Sequence, residues 1–339
     1  MTWIPPCARP SRGIGHSSRD VRSLAGRRVL ITGAAGFLGS HLVPRLIDEG
    51  AEVCVLDQPN ARRWALLERS DLAGTVRADV RTLAEPAHDA VLGDIDVIFH
   101  LAAVGVMGEV GDVRQLVSGN IDGTLAVLLA AQRLGSRLIY CGSCFEYGAG
   151  ERWSEDALPA PTTEYGAAKA AGWLLANAFA RRTGLEVVSL RPFTMYGPME
   201  PPGRLVPSVV RHALSGRAID LTPGDQLRDF VFVDDAVDAF VAAATTDAAV
   251  GGTFNVCSGT AVTVRHIVSR VLHCADSRSE ARFGALSYRP TELAVLSGDP
   301  TRAAQVLGWR ARVSLEDGLT RTIAWFRSAG AEFPEYQLQ

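Results

Sequence analysis

Tyr165 and Lys169 stand four residues apart in the run Tyr165-Gly166-Ala167-Ala168-Lys169. On a helix, positions i and i+4 share one face, so a phenol and an ammonium become neighbours. The cation stabilises phenolate and draws the tyrosine pKa toward neutrality. Such a tyrosine serves as general acid or base on a carbonyl or hydroxyl. Ser143 lies in Cys141-Gly142-Ser143-Cys144-Phe145-Glu146-Tyr147-Gly148, directly after a strand-like run. A serine hydroxyl at that place can hold a substrate oxygen beside the tyrosine.

A second constellation reads as a phosphate cradle. Thr32-Gly33-Ala34-Ala35-Gly36-Phe37-Leu38-Gly39 is a TGxxGxxG turn between a β-rich run and a helical pattern. Glycine serves a tight turn, a close approach of backbone to pyrophosphate, and close helix–strand packing. The helix N-terminus then offers free N–H groups to the phosphates. Asp57 ends the next strand, at the spacing a dinucleotide fingerprint asks for. Its carboxylate accepts from the adenosine ribose hydroxyls and repels a 2′-phosphate, so NAD is expected over NADP. An oxidised nicotinamide adds a second positive charge beside the phenol. Arg62 and Arg63 follow Asp57; they either soften that preference, leaving NADP possible, or form an ordinary solvated helix start, the stronger reading. Asp79, after the third strand, is placed to meet the adenine edge.

These residues need a scaffold that alternates strands and helices. Strands are predicted at Arg28–Thr32, Glu52–Asp57, Val76–Val80, Asp96–Ala102, Arg137–Gly142 and Glu186–Arg191. Helical periods lie between them, at Leu38–Ile47, Asn120–Leu134 and Glu164–Arg182. The strands are continuous apolar runs, as expected of a parallel sheet covered on both faces. The prediction is an α/β chain with a doubly wound parallel sheet. After Arg191 prolines cluster, and Tyr196–Gly203 reads as a loop. Strands at Phe230–Val233 and Thr253–Val256 follow, with helices at Arg204–Ser215, Asp234–Thr245, Val262–Cys274, Pro300–Leu307 and Ser314–Ser328.

Composition narrows the class. The chain has 339 residues, 47% hydrophobic and 21% charged, with a net charge of −3. That is a globular composition, with no basic face for nucleic acid. No apolar run reaches the roughly 18 residues of a membrane span. Residues 1–24 lack the apolar core of a secretory signal and read as a flexible extension, so the cytoplasm is the expected compartment. Six sparse cysteines read as buried hydrophobes in a reducing compartment, and none has metal-ligand spacing.

Taken together, TGAAGFLG (32–39), FHLAA (99–103), NIDGT (120–124), CGSCFEYG (141–148), YGAAK (165–169), LRPFTMYGP (190–198), RDFVFVDD (228–235) and RPTE (289–292) resemble one family. The chain is similar, from about Arg27 to Arg327, to extended short-chain dehydrogenase/reductases of the NAD-dependent epimerase/dehydratase, or nucleotide-sugar-modifying, type. The resemblance implies a Rossmann-type NAD-binding domain over 25–191 plus 230–258. It also implies a smaller C-terminal α/β substrate-binding domain over 192–229 plus 259–330. It makes Ser143, Tyr165 and Lys169 the catalytic triad. It assigns cofactor contacts to Gly33, Gly36, Phe37, Leu38, Gly39, Asp57, Asp79, Val80, Leu101, Ala102, Ala103, Asn120 and Pro192, beside Tyr165 and Lys169. In the family, arginines in the positions of Arg228 and Arg289 bind the nucleotide diphosphate, as a planar fork suits. Glu292 sits where a carboxylate meets the nucleotide ribose. Ser143, Cys144 and Thr194 fall on the sugar side.

Departures from the family pattern sharpen the expectation. Dehydratases place Asp-Glu directly after the serine or threonine, and decarboxylases a glutamate two residues after it. Here those positions are Cys144 and Phe145. Thr194 replaces a common substrate-contacting asparagine. Cys144 is either a second acid or base beside the sugar or, as the stronger reading, inert packing. The expected reaction is reduction of a 4-keto nucleotide sugar. The alternative is a 4-epimerase with tightly held NAD, and a distant third is a non-catalytic dinucleotide-binding protein. Relatives pair through the helices near 120–134 and 164–182, so a homodimer is expected.

Overall fold

Alternation inside the apolar runs decides the architecture. In β1 (Arg28–Thr32), Val29 and Ile31 are buried on one face and Leu30 on the other. Both faces must therefore be covered, as in a parallel sheet flanked by helices. The computed structural model describes residues 23–61, 63–105, 112–328, 333 and 336. β1 is followed by α1 (Phe37–Asp48), β2 (Glu52–Asp57), β3 (Gly74–Arg77), α2 (Asp89–Leu92), β4 (Val97–His100), α3 (Val113–Leu116), α4 (Gly123–Leu134) and β5 (Arg137–Cys141). Then come β6 (Gly150–Trp153), α5 (Glu164–Thr183), β7 (Val187–Pro192), β8 (Thr194–Tyr196), α6 (Leu205–Ser215), β9 (Ile219–Leu221), β10 (Leu227–Phe232), α7 (Val233–Thr245) and β11 (Thr253–Val256). After them lie β12 (Ala261–Thr263), α8 (Val264–Cys274), β13 (Ala281–Phe283), β14 (Val295–Gly298) and α9 (Leu315–Ser328).

Seven strands form one sheet in the order β11-β7-β5-β4-β1-β2-β3, every neighbouring pair parallel. The order grows outward from β1 on both sides, the doubly wound Rossmann-type arrangement. On one face, Leu42 and Leu46 of α1 and Phe240 of α7 pack with Val53 and Val55. On the other, Val127 and Ala131 of α4 and Phe179 of α5 pack with Leu30, Ile98 and Leu138. The winding reverses between β1 and β4, so the loops after these strands part and leave a crevice at the carboxyl edge.

A second, five-stranded sheet runs β12-β10-β14-β6 with β8 beside β10, and β9 pairs with β13 separately. Val206 and Val210 of α6, Ile267 and Val271 of α8, and Leu319 and Ile323 of α9 fill the core beside it. The sequence groups residues from Phe230 onward with the large sheet. In the structure that return is delayed to α7 and β11, because Phe230–Phe232 pairs with Thr194–Tyr196 instead. Three further elements differ from their sequence readings. Helix begins at Val113 rather than Asn120 and passes through a wide π turn, Val117–Asp122, into α4. The period at Pro300–Leu307 also closes in a wide turn, Ala303–Leu307. The third strand stops at Arg77, because the Asp79 carboxylate accepts the Arg81 N–H and caps a 3-10 turn over Val80–Ala84.

Among the described residues no helix is long and apolar enough to cross a membrane, and no group of His, Cys, Asp and Glu could hold a metal. Cys54, Cys141, Cys144, Cys257 and Cys274 are unbridged. Cys7, most of the 1–24 extension and Arg62 lie outside the described residues.

Candidate active site

The loops at the carboxyl edge of the large sheet and the face of the second sheet enclose a cleft of about 770 Å³. Its first end is built on the glycine turn. Gly33 has φ +72°, and a Cβ there would sit 2.6 Å from the Ala102 nitrogen. The turn after β1 is thus pressed against the loop after β4, and only glycine fits. Gly36, Phe37, Leu38 and Gly39 line the cleft at the start of α1. That helix has no side-chain cap and no acidic residue in its first turn, so its free N–H groups and positive dipole end face the cleft.

Asp57 stands at the tip of β2. Its carboxylate accepts the Ala35 and Gln58 N–H groups, each at 2.8 Å. Burial pushes this carboxyl upward, and the two N–H groups oppose it. Val80, Leu101, Ala102, Ala103 and Pro192 line the same wall. Asp79 lines it too, but both its oxygens are engaged by the Arg81 guanidinium at 2.9 Å. Arg63 is neither a solvated helix start nor a cation beside Asp57. It is buried, donating to the Met199 carbonyl at 2.6 Å and to the Tyr336 hydroxyl. Asn120 does not line the cleft. Its amide clamps Val104, accepting that N–H at 3.0 Å and donating to that carbonyl at 2.9 Å. The wide turn that carries it places the side chain under the loop after β4.

The middle of the cleft brings Ser143, Tyr165 and Lys169 together. Ser143 caps a short turn: its hydroxyl accepts the Phe145 N–H at 3.2 Å, and its own N–H donates to Glu146 Oε1 at 2.8 Å. Gly166 lets α5 approach this turn, since a Cβ there would lie 2.4 Å from the Phe145 carbonyl oxygen. The next turn of α5 carries Lys169, whose ammonium lies 5.1 Å from the centre of the Tyr140 ring. Lys169 is buried, and that burial pulls its pKa below the ordinary lysine value, against the nearby Cys141 and Glu146. The sequence reading draws the Tyr165 phenol toward neutrality. In the protein alone, burial instead pushes the phenol upward, with the hydrogen bond to Ser143 opposing. Tyr165 is therefore presented as a protonated phenol.

At the far end, Thr194, Arg228, Arg289 and Glu292 line the wall. Arg228 donates to Glu292 Oε1 and to the Leu227 carbonyl, the latter at 2.8 Å. Glu292 thus faces a resident cation. Arg289 is exposed on the loop before β14. Cys144 packs with Tyr147, Phe193, Leu293 and Leu296, and burial pushes its thiol up to about 12.

Several site residues were given no role by the sequence reading, although His100, Glu146 and Arg191 lie inside its motifs. Glu146 and Arg191 form a wholly buried ion pair at 2.7 Å directly beneath Ser143. The Arg191 guanidinium lies 4.5 Å from the centres of both the Tyr147 and Trp173 rings. His100 bridges the Thr32 hydroxyl at 2.8 Å and the Thr124 hydroxyl at 3.3 Å, tying β1 to α4 below the glycine turn. Glu200 and Arg204 line the cleft from the loop after β8. The available signal was charge: Glu200 and Arg204 interrupt a proline-rich apolar stretch, and Arg191 ends a buried strand.

The profile of the NAD dependent epimerase/dehydratase family matches residues 29–257. The chain is 33% identical over 318 residues to a UDP-glucose 4-epimerase of Mycolicibacterium smegmatis, covering 89% of this chain and 99% of that one. It is 31% identical over 317 residues to a dTDP-glucose 4,6-dehydratase of Streptomyces niveus, covering 88% and 93%. Among solved structures, the UDP-glucuronic acid 4-epimerase from Bacillus cereus, in complex with UDP-glucuronic acid and NAD, is similar with a TM-score of 0.80. The identity there is 27%, over 89% of this chain and 99% of that one. With its winding order, glycine turn and Ser–Tyr–Lys cleft, this chain belongs to the NAD-dependent epimerase/dehydratase family.

Proposed function

We propose that the protein transfers hydride at C4 of a sugar joined to a nucleoside diphosphate. Tyr165 exchanges the proton at the sugar oxygen, Ser143 holds that oxygen, and Lys169 supports the phenol from the next helical turn. The observation that carries this is the surroundings of Ser143. A phenol and an ammonium from one helix converge on it, while the next two positions hold a thiol pushed up to about 12 and a phenyl ring. A carboxylate acid/base of the kind that drives dehydration or decarboxylation is missing from both positions.

The first end of the cleft fits NAD. A Cβ at Gly33 would collide with the Ala102 backbone, and the uncapped start of α1 offers N–H groups to a pyrophosphate. Asp57 would take the adenosine ribose, and its charge disfavours a 2′-phosphate. NAD, when bound, supplies the hydride acceptor or donor and, in its oxidised form, a positive charge beside Tyr165. The chain's own work is to hold the sugar oxygen between Ser143 and Tyr165 and to keep water from it. Arg228 and Arg289, from separate segments, would grip the diphosphate with charge-assisted bonds.

Two net reactions share this chemistry. The CGSCFEYG segment favours reduction of a 4-keto sugar. Similarity to two 4-epimerases, each matched over 99% of its length, supports 4-epimerisation. The purified protein, assayed with UDP-, dTDP-, GDP- and CDP-sugars, separates them. An epimerase retains NAD and interconverts C4 isomers without net cofactor turnover; a reductase consumes NADH or NADPH in step with a 4-keto substrate. Activity on neither substrate set overturns the proposal.

The same reading divides the chain into a cofactor part (25–191 plus 230–258) and a sugar-nucleotide part (192–229 plus 259–330), with Phe230–Phe232 at the border, where it pairs into the second sheet. It also pairs two copies of the chain through α4 and α5, supported by exposed apolar residues Leu125, Leu129 and Leu174 on those helices. Light scattering at micromolar concentration tests the pairing, and a monomer there counts against it.

A further inference from the structure

Glu200 is a buried carboxyl on the wall of an open cleft. It is 3% exposed, yet it lines the cleft together with Arg204, four residues on. Its Oε1 faces Arg204 Nε at 3.4 Å, long for a charged pair, and its Oε2 is buried without a hydrogen-bond partner. A carboxylate held this poorly in an apolar site is disfavoured as an anion and loses its charge readily. The loop that presents it is fixed from outside. The Pro198 carbonyl meets His41 Nε2 at 2.9 Å, and the Met199 carbonyl accepts from Arg63 at 2.6 Å. Met199 itself has φ +62°, a left-handed backbone that a bulky side chain rarely adopts. Glu200 is therefore placed by structure, not left by a slack loop.

Arg204 lines the same cleft as Ser143 and Tyr165. Its positive charge bears on both the Cys144 thiol and the Tyr165 phenol, and Arg228 bears on the same thiol from β10. Two cations from different elements thus face one region of the cleft. Arg204 is also the N-cap residue of α6, a helix end with no side-chain cap, which adds to the local preference for an anion.

Building on the sugar-nucleotide reading above, we propose that Glu200 is the resident counter-ion of Arg204, displaced by the substrate's diphosphate, so that binding is coupled to uptake of one proton by Glu200. The balance is simple. The Arg204–Glu200 pair opens, the guanidinium moves to the phosphate oxygens, and the carboxylate left in the apolar wall takes a proton from solvent. The resting carboxyl is pushed up to about 8, chiefly by burial, with Arg204 and the Gly197 backbone opposing. Coupling of this kind shows at mildly alkaline pH, where Glu200 is charged before binding and neutral after it.

The other groups around this loop do not mimic the effect. His41 on α1 is held below its ordinary value by burial and is neutral above pH 7. Tyr196 on β8 is pushed up and stays protonated. Lys169, also in the cleft, remains in every variant below and cancels in the comparison.

The test is calorimetric titration of the NAD-loaded protein with UDP-glucose and dTDP-glucose in two buffers of different ionisation enthalpy. Their doubly esterified diphosphates have no titrating proton in this range. Uptake of about three-quarters of a proton is expected at pH 8.5 and about one-tenth at pH 7. The dissociation constant should rise about tenfold from pH 7 to pH 9. Glu200→Gln, which mimics the protonated side chain, should abolish the uptake and flatten that rise. Arg204→Gln should weaken binding and also abolish the uptake. Binding without proton uptake in the wild-type protein, or uptake unchanged in Glu200→Gln, overturns the role of Glu200. No binding of either nucleotide sugar at any pH overturns the sugar-nucleotide reading itself.

Discussion

Removing the Glu146 carboxylate would strand a cation in the middle of the protein. Glu146 and Arg191 are both 0% exposed and meet at 2.7 Å. The guanidinium has one further hydrogen bond, to the Tyr147 hydroxyl at 2.8 Å, and its second terminal nitrogen has no hydrogen-bond partner. The faces of Tyr147 and Trp173 contribute equally before and after the substitution, so they do not soften the loss. Breaking a buried pair from one side typically costs about 3–5 kcal/mol, and Glu146→Ala should lose that much. Glu146→Gln keeps the volume and an acceptor for the Ser143 N–H. It should lose about 1.5–3 kcal/mol, the worth of a hydrogen bond to a charged group. Pairing Glu146→Gln with Arg191→Met removes both charges and should recover most of the loss. Urea denaturation followed by circular dichroism reads these differences as midpoint shifts at constant slope. A loss below about 1 kcal/mol for Glu146→Ala, or no recovery in the double variant, would refute the reasoning that charge, rather than shape, governs this pair.

Tyr165→Phe removes only the acid/base hydroxyl, so turnover should fall on the order of 10²–10⁴-fold while NAD retention after gel filtration is unchanged. Arg228→Ala should raise the Michaelis constant for the nucleotide sugar about tenfold or more, as about 1.5–3 kcal/mol for a charge-assisted bond implies, and leave NAD affinity alone. His100 is wholly buried with its pKa lowered to about 3. The unfolded chain therefore binds a proton that the folded chain refuses between pH 6.5 and about 3, and stability falls on acidification through that window. The slope should be up to about 1.4 kcal/mol per pH unit, and urea midpoints at pH 6.5 and 5 for wild type and His100→Gln should show it. Cys144, with its thiol pushed up to about 12, should resist iodoacetamide at pH 8 in the folded protein, as mass spectrometry of the alkylated protein would report.

What was legible in the sequence was local. The glycine turn, Asp57 at a strand tip and the tyrosine–lysine spacing each announce themselves within a few residues, and the cleft gathers all three. The strands of the large sheet are equally local, since burial on both faces leaves continuous apolar runs such as Val53–Leu56. What was not legible depends on partners far away in the chain. β8 is three residues long and exists because β10 pairs with it. Asn120 reads as a wall residue until the π turn is seen to aim it at Val104. Glu146 and Arg191 are 45 positions apart, and neither signals the other. Arg63 looks solvated because its acceptors, Met199 and Tyr336, come far later.

That last contact bears on how the protein is made. Tyr336 is 4% exposed, packs edge-on to Phe326 and Trp325, and lies 273 positions after the arginine it binds. Its carbonyl also accepts from Arg211 of α6 at 2.8 Å. During synthesis the large sheet can assemble once β11 emerges, but Arg63 then still lacks its contact with Tyr336. The arginine that holds the Met199 carbonyl gains its Tyr336 contact only after residue 336 has left the ribosome. A nascent chain halted after α9 would hold a finished cofactor wall beside a substrate wall not yet fastened.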